Sequence, residues 1–198
     1  MDIPREQITA GILAGGEGRR LGGLDKGWYE LAGRALVEHV LERVGPQCGA
    51  VVISANRSLA RYRGLNLPVQ RDDDDDYRGP LAGIAAILRA ARTPYVLTVP
   101  VDTPLLPVDL ADRLASAMRP STQLARAHAD SRDQPLHALM RRDVLAELET
   151  ALFAGVRAVT EWQARLDCQS VAWEEPEAFA NLNRPEDAQA MARLVARR

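Results

Sequence analysis

Lysine is nearly missing from this chain: of 25 basic residues, 24 are arginine and only Lys26 is lysine. Cysteine is almost as scarce. Cys48 and Cys168 cannot build a zinc cluster, and a single possible bridge is no disulfide framework, so two small hydrophobes in a reducing compartment are expected. No apolar run approaches the roughly 20 residues of a membrane span. The opening Met-Asp-Ile-Pro-Arg-Glu mixes charges, unlike a signal peptide, which makes a cytoplasmic protein without a membrane partner the expectation. Nor is there a surplus of positive charge. The 25 basic and 27 acidic residues leave a net charge of −2, which argues against a general nucleic-acid binder but permits a local basic site. What is present is ordinary for a folded protein, 46% hydrophobic and 26% charged. The 198 residues fit one domain, 1–198.

The scarcity of lysine singles out Lys26. Arginine and lysine differ most where a compact, mobile point charge must fit a tight site, such as between phosphate oxygens. The apolar pattern alternates strand-like runs (residues 8–13, 50–54, 65–69, 95–101, 124–128, 136–140 and 170–173) with helical stretches (35–44, 81–91, 107–118, 141–153, 156–165 and 185–197). Residues 95–101 form a continuous apolar strand of the kind buried on both faces. This alternation predicts one α/β domain with a mostly parallel central sheet covered by helices. In such sheets ligands bind beyond the carboxyl ends of the strands. The first strand ends at a glycine-rich loop, the second at Ser54-Ala55-Asn56-Arg57 and the buried one at Asp102, so all three are expected to face one cleft.

Residues 13–27, Leu-Ala-Gly-Gly-Glu-Gly-Arg-Arg-Leu-Gly-Gly-Leu-Asp-Lys-Gly, carry the strongest chemical signal. Glycines such as Gly15, Gly16 and Gly22 allow tight turns and let backbone N–H groups approach phosphate oxygens. Arg19, Arg20 and Lys26 add the charge a triphosphate requires. The loop matches neither a Walker A nor a dinucleotide-binding glycine pattern. Asp102, in Pro100-Val101-Asp102-Thr103-Pro104, is a carboxylate able to hold Mg²⁺ with water and phosphate oxygens completing the shell. The acidic run at 72–76 reads mainly as a solvated loop. His39 is expected near the core, His128 and His137 lack the spacing of a metal set, and Trp162 and Trp173 are expected to pack the interior.

Taken in order, residues 13–27, Asn56-Arg57, Gly79-Pro80-Leu81-Ala82-Gly83, Asp102-Thr103-Pro104 and Asn181-Leu182-Asn183-Arg184-Pro185-Glu186-Asp187 resemble the MobA family of molybdenum cofactor guanylyltransferases. The most specific stretch is Leu-Ala-Gly-Gly-x-x-x-Arg-x-Gly-Gly-x-Asp-Lys-Gly, and the resemblance runs from about residue 8 to residue 195. It implies a three-layer, Rossmann-like nucleotidyltransferase fold. It also implies transfer of GMP from GTP to molybdopterin or its molybdenum form, with Mg²⁺ and release of pyrophosphate. Carried over by position, the backbone of Leu13, Ala14 and Gly15, the loop residues Gly16, Arg19 and Gly22, and the side chain of Lys26 would meet GTP. Ser54, Asn56 and Asp72 would belong to the nucleotide site, and Gly79, Pro80, Leu81 and Gly83 would shape the pocket. Asp102 would hold the metal, Asn181 and Asn183 would stand near the reacting phosphates, and Lys26, Arg19 and Asp102 would carry catalysis. Proteins that deliver molybdopterin and apo-molybdoenzymes that receive the product are the implied partners.

Three departures from the family pattern stand out. Ser54 takes the place of the first asparagine of Asn-Ala-Asn-Arg, Gln134-Pro135 stands where many members have His-Pro, and the basic residue after the late glycine is displaced, with Arg157 beside Ala158. Two alternatives remain open: cytidylyl transfer on the same scaffold, to molybdopterin or a sugar phosphate, and a nucleotide-binding regulator without turnover.

Overall fold

A computed structural model describes residues 3–15, 25–71 and 79–196. Its centre is a seven-stranded sheet in the order β5-β4-β1-β6-β8-β7-β9. The strands are β1 (Ile8–Leu13), β4 (Ala50–Ser54), β5 (Val69–Gln70), β6 (Tyr95–Pro100), β7 (Leu124–Ala129), β8 (Arg132–Arg141) and β9 (Cys168–Ala172). β8 alone runs against the others, pairing antiparallel with both β6 and β7, so the sheet is mostly parallel, as expected.

Two helical layers cover it because the central strands are apolar on both faces. On one face Ile8, Ala10 and Ile12 of β1 and Leu97 and Val99 of β6 pack on α1 (Leu36–Val44) and α4 (Leu110–Ala117). On the other, Val96 of β6 and Met140 of β8 meet α3 (Pro80–Ala90), α5 (Leu145–Phe153) and α6 (Val159–Gln163). Residues 81–88 of α3 are all buried, and burial of each large aliphatic side chain stabilises by about 1.5–3 kcal/mol. α3 approaches β1 so closely that a Cβ on Gly11 would lie 2.5 Å from Ile87 Cγ2. A smaller cluster, Leu31, Leu36, Leu105, Leu182 and Met191, seats α7 (Ala188–Val195). Trp162 and Trp173 are buried, and both cysteines are free, with burial pushing the Cys48 thiol up to about 12.

Several elements differ from the expected ones. The stretch 156–165 is helical only over Val159–Gln163, because Gly155, at φ 87°, ends α5 and Val156 N–H returns to Ala151 O at 3.0 Å. Residues 185–197 begin as a 3₁₀ turn, Pro185–Asp187, before α7. The edge strand predicted at 65–69 pairs only at Val69–Gln70. A hairpin of β2 (Glu30–Leu31) and β3 (Arg34–Ala35) and the short helix α2 (Leu59–Arg63) were not expected. The hairpin turns through Ala32 and Gly33, both at positive φ, with an alanine where such turns usually signal themselves by asparagine.

Candidate active site

The carboxyl ends of the three central parallel strands lie side by side. Leu13 of β1 is in register with Ser54 of β4 and Pro100 of β6. Ala14 N–H donates to Ser54 O at 2.8 Å and Val101 N–H to Leu13 O at 3.1 Å, which fixes the turns leaving β1 and β6. Gly83 completes this corner from α3, since a Cβ there would stand 3.0 Å from both Leu13 Cδ2 and Ser54 Oγ.

Lys26 reaches across that end. It lies in the 3₁₀ turn Lys26–Trp28, capped by Asp25, whose Oδ1 accepts from Gly27 N–H at 3.2 Å and from the Tyr62 hydroxyl at 2.7 Å. Lys26 Nζ donates to Asp102 Oδ2 at 2.5 Å and to Asn183 Oδ1 at 2.8 Å. The Lys26 and Asp102 side chains are only 17% and 15% exposed, so water screens the pair weakly. Leu182 N–H donates to Asp102 O at 2.9 Å, binding the segment that carries Asn183 to the turn after β6. An ammonium group has three donors, and the hydrogen bonds among the described residues account for two.

Buried polar atoms without partners concentrate here. Asp102 Oδ1, Ser54 Oγ, Asn56 Oδ1 and Asp25 Oδ2 are all buried and have no hydrogen-bond partner among the described residues. Leaving such an atom without a partner costs roughly 1–3 kcal/mol, so each calls for a water, an ion or a ligand to bond it.

The model matching residues 10–168 is the MobA-like NTP transferase domain. The chain belongs to the MobA-like NTP transferase family. It is 38% identical over 193 residues to a molybdenum cofactor guanylyltransferase of Shewanella woodyi, covering 96% of this chain and 98% of that one. It is 41% identical over 186 residues to the Bordetella pertussis protein of the same name, covering 91% and 94%. Among solved structures it is similar to molybdopterin-guanine dinucleotide biosynthesis protein A from Archaeoglobus fulgidus, at TM-score 0.80 and 24% identity, covering 96% of this chain and 100% of that one.

The structure thus brings Lys26, Asp102 and Asn183 into one bonded group in this MobA-like chain, and Leu13, Ala14, Ser54 and Gly83 into the adjoining corner. Gly15 is exposed just beyond β1, and Gly79 and Pro80 are exposed at the start of α3, with Gly79 at φ 71°. Leu81 has its side chain in the core, so only its backbone is free to shape a pocket. Asn181 is exposed and makes no recorded bond to Lys26 or Asp102 among the described residues, in contrast to Asn183. Gly16, Arg19, Gly22 and Asp72 lie outside the described residues.

Several supporting roles carried no signal in the sequence. Tyr62 is fully buried, and its hydroxyl fills the space that a Gly27 side chain would need. Burial and the neighbouring Asp25 carboxylate push the Tyr62 hydroxyl far above its ordinary pKa, so it remains a donor. Trp28 packs on Tyr62 with ring centroids 5.1 Å apart, and the Arg61 guanidinium stacks 4.1 Å over Trp28. Asp25 was visible in the motif, but its role as anchor of the lysine turn was not. His137 is buried, hydrogen-bonded to Thr103 at 3.0 Å, and burial pushes its pKa down to about 3.

Proposed function

We propose that this chain transfers GMP from GTP to the terminal phosphate of molybdopterin, or of its molybdenum form, with release of pyrophosphate. The observation that carries the reading is Lys26 Nζ bound to Asp102 and Asn183 at the strand ends, beside an Asp102 oxygen that is buried and unpartnered. Guanylyltransferase relatives over nearly the whole length support it. Residues 1–198 are read as one domain acting in the cytoplasm; no helix among the described residues is long and apolar enough to cross a membrane.

The donor set fits a hard divalent cation. Among the described residues no group of three His, Cys, Asp or Glu could hold a metal alone, so Asp102 would share Mg²⁺ with nucleotide phosphate oxygens and water, as Mg²⁺ prefers. When bound, Mg²⁺ neutralises phosphate charge and polarises the phosphorus centre. The chain's own residues do the rest by position and charge. The third Lys26 donor would serve a phosphate oxygen, and Arg19, with the N–H groups of Gly15, Gly16 and Gly22, would meet the triphosphate. Asp72 and the unpartnered Ser54 hydroxyl and Asn56 carbonyl complete the nucleoside side, while Gly79, Pro80, the backbone at Leu81, and Gly83 leave room for it. Asn181 and Asn183 border the reacting phosphates. No enzyme nucleophile is needed, because the acceptor brings its own phosphate oxygen and alignment behind the α-phosphorus lowers the barrier. Molybdopterin-delivering proteins and apo-molybdoenzymes would be its partners.

Purified protein, Mg²⁺, molybdopterin and each of the four nucleotides, scored for dinucleotide product and pyrophosphate, tests this directly. Product from GTP alone is expected. Product from CTP instead establishes cytidylyl transfer, and nucleotide binding without pyrophosphate release establishes a regulator.

A further inference from the structure

His137 stands where β8 departs from its ladder. Arg126 of β7 pairs with Ala138 and the next residue, Ala127, with Gln134, so residues 135–137 have no partner on β7. His137 is buried there and, among the described residues, makes no hydrogen bond to Lys26 or Asp102. Its Nε2 lies 3.0 Å from Thr103 Oγ1, which in turn lies 3.0 Å from Pro100 O. The carbonyl can only accept, so the hydroxyl donates to Pro100 and accepts from the imidazole, whose proton is therefore on Nε2. Thr103 adjoins Asp102. The ring also meets Phe179 edge-to-face, at 5.0 Å and 85°. Phe179 closes the 3₁₀ turn Pro176–Phe179, just before the segment whose Leu182 N–H holds Asp102 O and whose Asn183 holds Lys26. One imidazole thus touches both segments that bring groups to Lys26. The bulge is itself anchored from the opposite face: the fully buried Gln163 donates to Pro135 O at 2.8 Å and accepts from Arg126 at 3.0 Å.

We propose that His137 is a positioning residue for the Lys26–Asp102–Asn183 group: a neutral imidazole that, through Thr103 and Phe179, sets the Asp102 carboxylate against the Asn183 amide and so shapes the seat offered to a divalent cation on GTP. This rests on the nucleotidyl-transfer reading above. Displacement of a catalytic group by a fraction of an ångström to 1 Å lowers turnover far more than it lowers ground-state binding.

The test compares His137→Leu, which keeps bulk without a donor, with His137→Gln, which restores an N–H near the Nε2 position. Turnover, the KM for GTP, and Mn²⁺ binding in the presence of GTP, followed by electron paramagnetic resonance, are measured beside thermal melting. For His137→Leu, kcat is expected to fall about 10-fold or more while KM for GTP moves by less than about 3-fold. Mn²⁺ binding weakens, and His137→Gln recovers most of both. A folded His137→Leu with wild-type kcat and Mn²⁺ titration overturns the proposal, as does a glutamine variant no better than leucine. Should His137→Leu fail to fold, Thr103→Val, which removes only the connecting hydroxyl, decides by the same criteria. Absence of product from the wild-type chain overturns the guanylyl-transfer reading instead, and the Mn²⁺–GTP titration still reads the positioning role.

Discussion

The two ends of the central sheet differ in how their polar groups are satisfied. Beyond the amino end of β6 lies an open depression of about 890 Å³, bordered by Arg92, Tyr95, Arg141, Arg142 and Glu149. Its charges are largely engaged: Arg141 donates to Asp143, Arg142 to Leu88 O, and Glu149 accepts from Arg89. None of the residues lining it has a buried, unpartnered polar side-chain atom. At the carboxyl end the reverse holds: among the described residues Asp102 Oδ1, on the residue bonded to Lys26, Asp25 Oδ2, on the residue preceding that lysine, and Ser54 Oγ and Asn56 Oδ1, at and beyond the end of β4, are all unpartnered. Concavity alone therefore does not locate chemistry in this molecule. Unpartnered buried carboxylate oxygens do: among the described residues these are Asp25 Oδ2 and Asp102 Oδ1, whereas the neutral Thr122 Oγ1, Trp162 Nε1 and Trp173 Nε1 are unpartnered outside this group.

The contrast breaks most sharply by mutation. Lys26→Ala and Asp102→Asn are each expected to lower kcat by about 100- to 1,000-fold, the range seen for loss of one preorganised charge-stabilising group. Arg92→Ala at the other end is expected to change it by less than about 2-fold. Pyrophosphate release with saturating GTP and molybdopterin measures all three. Equal losses at both ends would erase the distinction.

Acid provides the next largest effect. Burial holds the His137 pKa down to about 3 in the folded chain, against an ordinary 6.5 when unfolded. Between those values the unfolded chain binds a proton that the folded one refuses, so this stability is complete above about pH 6.5 and is lost as pH falls. The slope is about 1.4 kcal/mol per pH unit for one proton. Melting curves from pH 7 to pH 5 should therefore fall more steeply for the wild type than for His137→Leu. That window lies above the range in which most carboxylates titrate. Parallel slopes would mean that the imidazole is not sealed from water.

How much of this was legible beforehand follows the same division between local pattern and long-range register. β1 and β4 matched their expected bounds, because each is a short, mainly apolar run, and β6 ended one residue earlier than expected. Lys26 stood out as the lone lysine and Asp102 as the carboxylate ending such a strand, while Asn183 came from resemblance to a family. The Ala32-Gly33 turn and α2 carried no comparable signal. Tyr62 gains its importance only when α2 folds back onto Gly27. The His137–Thr103 bond depends on a bulge register between distant strands, and a lone histidine in a strand does not announce it.

Packing without chemistry gives a smaller effect. Gly11→Ala would drive a methyl group against Ile87 and should destabilise by about 1–3 kcal/mol, or several degrees of melting temperature. Its turnover at moderate temperature should stay within a few-fold of wild type, because the strain falls between β1 and α3 rather than on Lys26.

The finest test is Tyr62→Phe, which removes one oxygen from the support of the lysine turn. Asp25 Oδ1 would keep the Gly27 N–H but lose the 2.7 Å bond from the Tyr62 hydroxyl, leaving a carboxylate whose other oxygen is already unpartnered. The cost is about 1–2 kcal/mol, because a hydrogen bond to a charged group is lost while the ring still packs on Trp28. If Asp25 only stabilises the fold, melting temperature falls and kcat is unchanged. If it aims Lys26, as the cap on the Lys26–Trp28 turn indicates, kcat falls a few-fold as well, with KM for GTP nearly constant. An equal few-fold loss in Arg92→Ala, at the satisfied end, would show that such changes report general loosening rather than the aim of the lysine.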